Sequence, residues 1–200
     1  LHCKACVVEL HRHSPLHRIK TWNSSFFEDS SLANAGLVLQ LGHTPDSCLS
    51  GGARTQNHLM TVMDINGLHN VRLTWCRCYG FRSLADELFR LKWIPATLVR
   101  PGTAFTFRVM QHFQMLSHVA RTTAWDFCTA IQRITDNVQP ELLPDIYRSF
   151  NQIQRHWRVT RAYKCGGLTK IRGNEGSENT ERLGLQCVSY PWPGKNIPDN

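Results

Sequence analysis

The sequence predicts an α+β fold with a β-rich N-terminal part followed by a mainly helical C-terminal part. Between residues 36 and 80, apolar residues occur in short runs and in alternation with polar ones. From residue 83 onward they recur with the 3.6-residue period of a helix. Hydrophobic residues make up 42% of the 200 residues and charged residues 19%, which is the composition of a folded chain.

The β-rich part is predicted from two apolar runs and a hairpin signal. Residues 36–41 and 59–63 are strand candidates. Asn66-Gly67 predicts a tight turn, because both residue types tolerate positive φ. After it, Val71, Leu73 and Trp75 alternate with polar residues, which predicts a half-buried strand.

The helical part is predicted from caps and apolar stripes. Ser83 and Asp86 form a capping-box pattern, and Pro95 should end the helix that follows. The stripes are interpreted as core rather than as a cofactor site. Further helices are predicted over residues 103–120, after Thr123 with Asp126, and over 144–164, with the stripe Ile146, Phe150, Ile153 and Trp157.

The charge balance favours a polyanionic partner. Lys and Arg number 23 against 15 acidic residues, a net charge of +8. Residues 146–174 contain no acidic residue, and this segment predicts a phosphate-binding row made of Arg155, Arg158, Arg161 and Lys164. A solvated helix face explains the same pattern. We therefore expect DNA as a partner, and we expect no membrane span.

The first cluster of cysteine and histidine is Cys3-x2-Cys6-x4-His11-x5-His17. Thiolate and imidazole are ligands that Zn²⁺ prefers, so this spacing predicts a zinc motif. The spacing resembles the second half of a B-box-type zinc finger, in which the Cys pair and the His pair serve different metal ions. Either the four ligands close one site, or they are halves of two sites; His13 is an alternative to His17.

The second cluster predicts a structural zinc site formed by Cys48, His69, Cys76 and Cys78. His43 and His58 are alternative ligands. In a regular strand, His69 points to the apolar face, and Cys76 and Cys78 point to the opposite face. The three can bind one metal ion only if the strand ends or bulges before Cys76. Four protein ligands leave no position for a catalytic water. No nucleotide-binding, nucleophile-elbow or metalloprotease motif is present in the sequence. We therefore expect no enzymatic activity and no small-molecule substrate.

Several stretches in linear order resemble a known family. They include residues 3–11, 15–19, 39–43 and 64–78, then Trp93-Ile-Pro-Ala-Thr97 and Pro101-Gly-Thr-Ala-Phe-Thr-Phe107. They are similar to the CxC-type cysteine-cluster domain of Kyakuja-Dileera-Zisupton (KDZ) transposases of fungi. The resemblance implies a nuclear, zinc-binding module for DNA recognition or regulation that precedes an RNase H-like catalytic domain. Tyr190 stands where that family has a cysteine, which suggests a domesticated copy and adds protein partners as an alternative.

The predicted organisation has four segments. The chain begins inside a motif at Leu1 and stops at Asn200, so we expect a fragment that lacks the catalytic domain. The segments are a partial B-box-like zinc motif (1–20), a β-rich cysteine-cluster zinc domain (21–80), a helical region (81–165), and a linker with an extended tail (166–200).

Overall fold

The computed structural model describes residues 2–42, 58–75 and 83–165. The chain divides into two units, residues 1–153 and 154–200, and each is described by itself. The first unit combines a mixed five-stranded sheet with helices and a separate two-stranded hairpin. This arrangement confirms the predicted α+β class.

The sheet is built around an antiparallel hairpin of β4 (His58–Asp64) and β5 (Gly67–Thr74). β3 (Val38–Gln40) lies parallel to β5 on one side. On the other side β7 (Thr103–Thr106) is parallel to β4 and antiparallel to β6 (Trp93–Pro95). The order is β3-β5-β4-β7-β6. The strands predicted within 36–41 and 59–63 and around Val71 and Leu73 are confirmed.

The turn between β4 and β5 lies one residue earlier than predicted. Asp64 pairs with Gly67, so Ile65 and Asn66 are the central residues. Gly67 has a φ of 133° and begins β5. A Cβ atom there would lie 2.9 Å from Thr135 Oγ1, so glycine is required for close approach of a helix as well as for the turn.

The helices follow the predicted caps, with one correction. The capping box of Ser83 and Asp86 is present, but α3 (Leu84–Arg90) ends well before Pro95. Residues 93–95, predicted as the end of that helix, form strand β6, and residues 103–106, predicted as the beginning of the helix over 103–120, form strand β7. β7 pairs with β6 and with β4, and this pairing outweighs the helical period. The remaining helices are α4 (Phe107–Val119), α5 (Ala124–Thr135), a 3₁₀ turn (Pro140–Leu142) and α6 (Tyr147–Cys165).

The N-terminal elements were not predicted individually by the sequence patterns. They are α1 (Lys4–Leu10), β1 (Ile19–Trp22), β2 (Phe27–Ser30) and α2 (Leu32–Ala35). β1 and β2 form their own antiparallel sheet. α1 buries none of its residues, so it carries no apolar stripe that a periodicity argument detects.

A cluster of aromatic rings fixes helices against the sheet. Phe105 of β7 lies 5.6 Å from Phe150 of α6, measured between ring centroids. Phe150 also contacts Phe113 of α4 at 5.0 Å and Phe127 of α5 at 5.6 Å. All four residues are at most 4% exposed. One aromatic ring from each of three helices and one strand therefore pack in a single core. The helical apolar stripes were interpreted as core residues, and these contacts agree with that interpretation.

Polar contacts converge where the β4–β5 turn ends; we call this region the turn junction. Asp64, 1% exposed, accepts hydrogen bonds from Thr106 Oγ1 at 2.7 Å and from the Arg108 guanidinium, which also forms an ion pair with it. The Asn66 side-chain amide donates to the Leu16 carbonyl at 2.9 Å. The turn junction thus connects the sheet to α4 and to the loop after α1.

The same junction continues to α5. The Leu68 backbone N–H donates to Thr135 Oγ1 at 2.7 Å, and that hydroxyl donates to the Ile131 carbonyl at 2.8 Å. Arg18 donates to the carbonyls of Ile134 and Thr135, so it satisfies acceptors that the helix end leaves open.

Burial and hydrogen bonding set two protonation states at the junction. Burial raises the pKa of Asp64, but the hydrogen bonds from Arg108 and Thr106 outweigh it and leave this pKa below its ordinary value. Burial lowers the pKa of His69 from 6.5 to about 4, against the attraction of Asp64. His69 is therefore neutral at pH 7, with Nε2 2.8 Å from Asn66 Oδ1.

Replacing Gly67 with alanine should destabilise the fold by about 3 kcal/mol, combining backbone strain with a steric clash. Thr135 cannot rotate away without breaking two hydrogen bonds. The matched control is Gly36→Ala, because Gly36 has a φ of 105° and open space around it; strain alone should cost about 1 kcal/mol there. Urea unfolding measures both values, and equal losses would contradict the close-approach argument.

Acidification should destabilise the protein through His69. Its folded-state pKa lies below its unfolded value, so the contribution is complete above pH 6.5 and is lost as the pH falls toward about 4. Between pH 7 and pH 5 the loss should be about 2 kcal/mol. The measurement compares wild type with His69→Gln at both pH values, so that other groups cancel. The same pH dependence in both proteins would refute the assignment.

Candidate metal ligands and a basic helix face

Cys3 and Cys6 lie together at the beginning of α1. Cys3 is the N-cap residue and its sulfur accepts from the Cys6 backbone N–H at 3.5 Å. The two Sγ atoms are 3.2 Å apart, and both residues are exposed. The hydrogen bond from the Cys6 backbone N–H lowers the pKa of Cys3, while the hydrogen bond with Cys3 raises the pKa of Cys6.

His11 and His17 form a separate pair beyond the other end of α1. Their ring centroids are 5.3 Å apart and nearly perpendicular, and His11 Nδ1 contacts the Val7 carbonyl at 2.8 Å. Within residues 2–42, 58–75 and 83–165, no three His, Cys, Asp or Glu side chains come close enough to hold a metal ion. The described residues of the first cluster therefore do not fit a closed four-ligand zinc site.

Most of the second cluster lies outside the described residues. Cys48, Cys76, Cys78 and the alternative ligand His43 belong to the parts of the chain that the structure leaves undescribed. β5 ends at Thr74, before Cys76, so the required interruption of the strand is present. His69 is 7% exposed and lies within β5, five residues before Thr74, which is about 16 Å of strand.

His58, the other alternative ligand, lies at the opposite end of this hairpin. It pairs with Leu73, and its ring centroid is 5.9 Å from that of Trp75, the residue that precedes Cys76 in sequence. Its Nε2 is 2.8 Å from the Pro101 carbonyl. A carbonyl only accepts, so Nε2 carries the proton in this contact and Nδ1 is left with a lone pair. Metal-binding histidines commonly have this second hydrogen bond.

The predicted basic row lies on α6, within residues 154–165 of the second unit. Arg155, Arg158 and Lys164 are exposed, while the Arg161 guanidinium carbon lies 5.8 Å from the ring centroid of Trp157. These four residues are spaced three apart, so each side chain lies next to the following one on the helix surface. Because a turn takes 3.6 residues, the row shifts gradually around the helix axis. Lys164, nine residues after Arg155, therefore faces the side opposite Arg155.

An exposed aromatic group on the β1–β2 hairpin was missed by the sequence analysis. Trp22, Phe26 and Phe27 are 49%, 60% and 53% exposed, and Trp22 and Phe27 have centroids 5.1 Å apart. The close sequence spacing of three aromatic residues was the available signal. Separately, none of the helices in the described parts of the chain combines the length and apolar character that a membrane span requires.

Comparison with known proteins identifies one family. Residues 32–139 match the CxC2 like cysteine cluster associated with KDZ transposases. No curated protein and no solved structure matches the chain. The matched region contains the β4–β5 turn, the five-stranded sheet and all four predicted ligands of the second cluster. The first cluster and the basic row lie outside it. The chain belongs to the family of CxC2 like cysteine clusters associated with KDZ transposases.

Proposed function

We propose that this chain is a non-catalytic, zinc-binding module of a KDZ-type transposase that associates with DNA in the nucleus. The family match over residues 32–139 carries the proposal. It rests also on the net charge of +8. Its role is recognition or regulation, so it takes no small-molecule substrate.

The proposed zinc site is the second cluster, with His58 rather than His69 as its histidine. His58 lies beside Trp75, next in sequence to Cys76, and keeps a free Nδ1 lone pair. His69 is buried in the sheet with its Nε2 engaged by Asn66. With Cys48, Cys76 and Cys78 the ligand set is three thiolates and one imidazole, a common combination for structural zinc.

The proposed DNA contact consists of Arg155, Arg158 and Arg161 of the basic row on α6; Lys164 faces the other side of the helix. Arginine and lysine without neighbouring carboxylates neutralise phosphates and release counterions, which gives salt-sensitive binding. The sequence of α6 contains no acidic residue to compete for these cations. Contacts of this type fix position on DNA and carry little sequence preference.

A second candidate function is a zinc-stabilised protein-interaction module from a domesticated transposon. The exposed aromatic group of Trp22, Phe26 and Phe27 favours it, because aromatic residues are enriched where proteins bind one another. The hairpin also carries Lys20 paired with Asp29 at 3.8 Å, so its charge is balanced rather than basic. A chain that binds a protein through this hairpin and does not bind DNA at low salt would establish the second function instead.

Purified protein should contain about one zinc ion per chain, measured by elemental analysis. Changing both Cys76 and Cys78 to serine should remove the zinc of the second cluster and lower the melting temperature, because metal binding is coupled to folding. Wild-type protein that is folded without zinc would contradict the proposal.

The choice between the two histidines is tested by a matched pair of variants. His58→Gln should lose zinc during dialysis against a weak chelator, since a ligand is removed. His69→Gln should retain zinc and change only stability. Loss of zinc in the His69 variant alone would restore the ligand set that the sequence predicted.

DNA binding should depend steeply on salt through the basic row. Changing Arg155, Arg158 and Arg161 to glutamine should lower the slope of log affinity against log salt by about 3 for duplex DNA. The control changes three exposed arginines elsewhere, Arg100, Arg121 and Arg133, to glutamine, which gives the same net charge. Equal effects of the two triple variants would show that total charge, rather than this row, causes binding.

A further inference from the structure

We propose that Cys3 and Cys6 form a reversible dithiol–disulfide site that reacts with low-molecular-weight disulfides such as oxidised glutathione. The inference goes beyond the proposed zinc and DNA functions and does not depend on them. It rests on the distance between the two sulfurs and on the lack of a third metal-binding side chain beside them in the described residues.

The distance between the sulfurs favours a dithiol. Two thiolates bound to a tetrahedral zinc ion at about 2.3 Å lie about 3.8 Å apart, whereas a disulfide has a length of about 2.05 Å. The Sγ atoms of Cys3 and Cys6 are 3.2 Å apart, closer than zinc would hold them. Cys3 is extended at the N-cap position, with φ −71° and ψ 162°, which directs its sulfur back toward the first helical turn.

The surroundings leave the pair without completing ligands in the described parts of the chain. No third metal-binding side chain joins them there. His11 follows Cys6 by five residues, about 7.5 Å along the helix axis, and its Nδ1 contacts the Val7 carbonyl instead. Both cysteines are exposed, so a small disulfide has access to either sulfur.

The reaction balances with glutathione disulfide as the oxidant. One cysteine thiolate attacks a sulfur of the oxidant, the glutathione S–S bond breaks, and one glutathione leaves. The second thiolate then attacks the resulting mixed disulfide, the protein S–S bond forms, and the second glutathione leaves. The two thiol protons end on the two released glutathiones. The pair is oxidised by two electrons and glutathione disulfide is reduced by the same number.

Oxidation has a consequence for the metal chemistry of the chain. A disulfide sulfur is not a thiolate, so both sulfurs are withdrawn from any metal site that further ligands would complete. The availability of both thiolates would therefore depend on the thiol–disulfide balance of the surroundings.

The sequence offers a direct test, because Lys4 separates the two cysteines. The full chain, as purified and without chelator, is equilibrated with excess oxidised glutathione, alkylated and digested with trypsin. Cleavage after Lys4 and Arg12 should give residues 1–4 and 5–12 as one disulfide-linked species that separates on reduction. Most of Cys3 should be found in this form. Recovery of both peptides as alkylated or glutathione-linked species would overturn the proposal.

Two comparisons sharpen the result. Cys6→Ser should convert Cys3 to a mixed disulfide with glutathione, with no linked peptides. Cys128, 2% exposed in the core, should remain unmodified in the folded protein. Its oxidation in the same sample would attribute the linked peptides to unfolding and would count against the site. Because zinc content of the second cluster is measured separately, failure here and failure of the zinc proposal are distinguishable.

Discussion

The structure of the first unit depends on the turn junction, where one tight turn brings together three otherwise separate parts of the chain. The carboxylate of Asp64 holds Arg108 and Thr106 at the start of α4. A few residues later, the backbone of Leu68 is bonded to Thr135 at the end of α5. Since buried polar groups are costly when unpaired, the buried Asp64 carboxylate favours keeping its partners on α4 in place.

The turn junction and the proposed zinc ligand His58 lie in different parts of the fold. The junction lies at one end of the β4–β5 hairpin, and His58 with Trp75 lies at the other. The first cluster begins on α1, which buries none of its residues. His58 and the Cys3–Cys6 pair therefore lie at the margins of the fold, outside the aromatic core of Phe105, Phe150 and their neighbours.

Much of the fold could be predicted from the sequence, because strong local signals agreed with the tertiary structure. The capping box at Ser83 and the apolar stripe through Phe150 are examples. The strand at 103–106 could not be predicted, since its helical-looking period is overruled by pairing with β4, which is distant in sequence. The turn was misplaced by one residue because Gly67 begins β5, where a φ of 133° and the close approach of Thr135 both require glycine; the second of these is a contact that no local pattern encodes.

The ligand set of the candidate metal site stays a prediction, because Cys48, Cys76 and Cys78 lie outside the described residues. Residue types and spacing predicted His69, with His58 as an alternative. The structure adds only their positions: His69 lies five residues before the end of β5, and His58 lies beside Trp75 at that end. The family match likewise supports only what residues 32–139 contain, which is the sheet and the second cluster. The thiol pair at Cys3 and the basic row on α6 lie outside that range, so their roles depend on chemistry specific to this chain. The candidate metal ligand His58, the thiol pair and the basic row lie on different elements, so each of the three proposals can be tested by variants that leave the other two sets of residues unchanged.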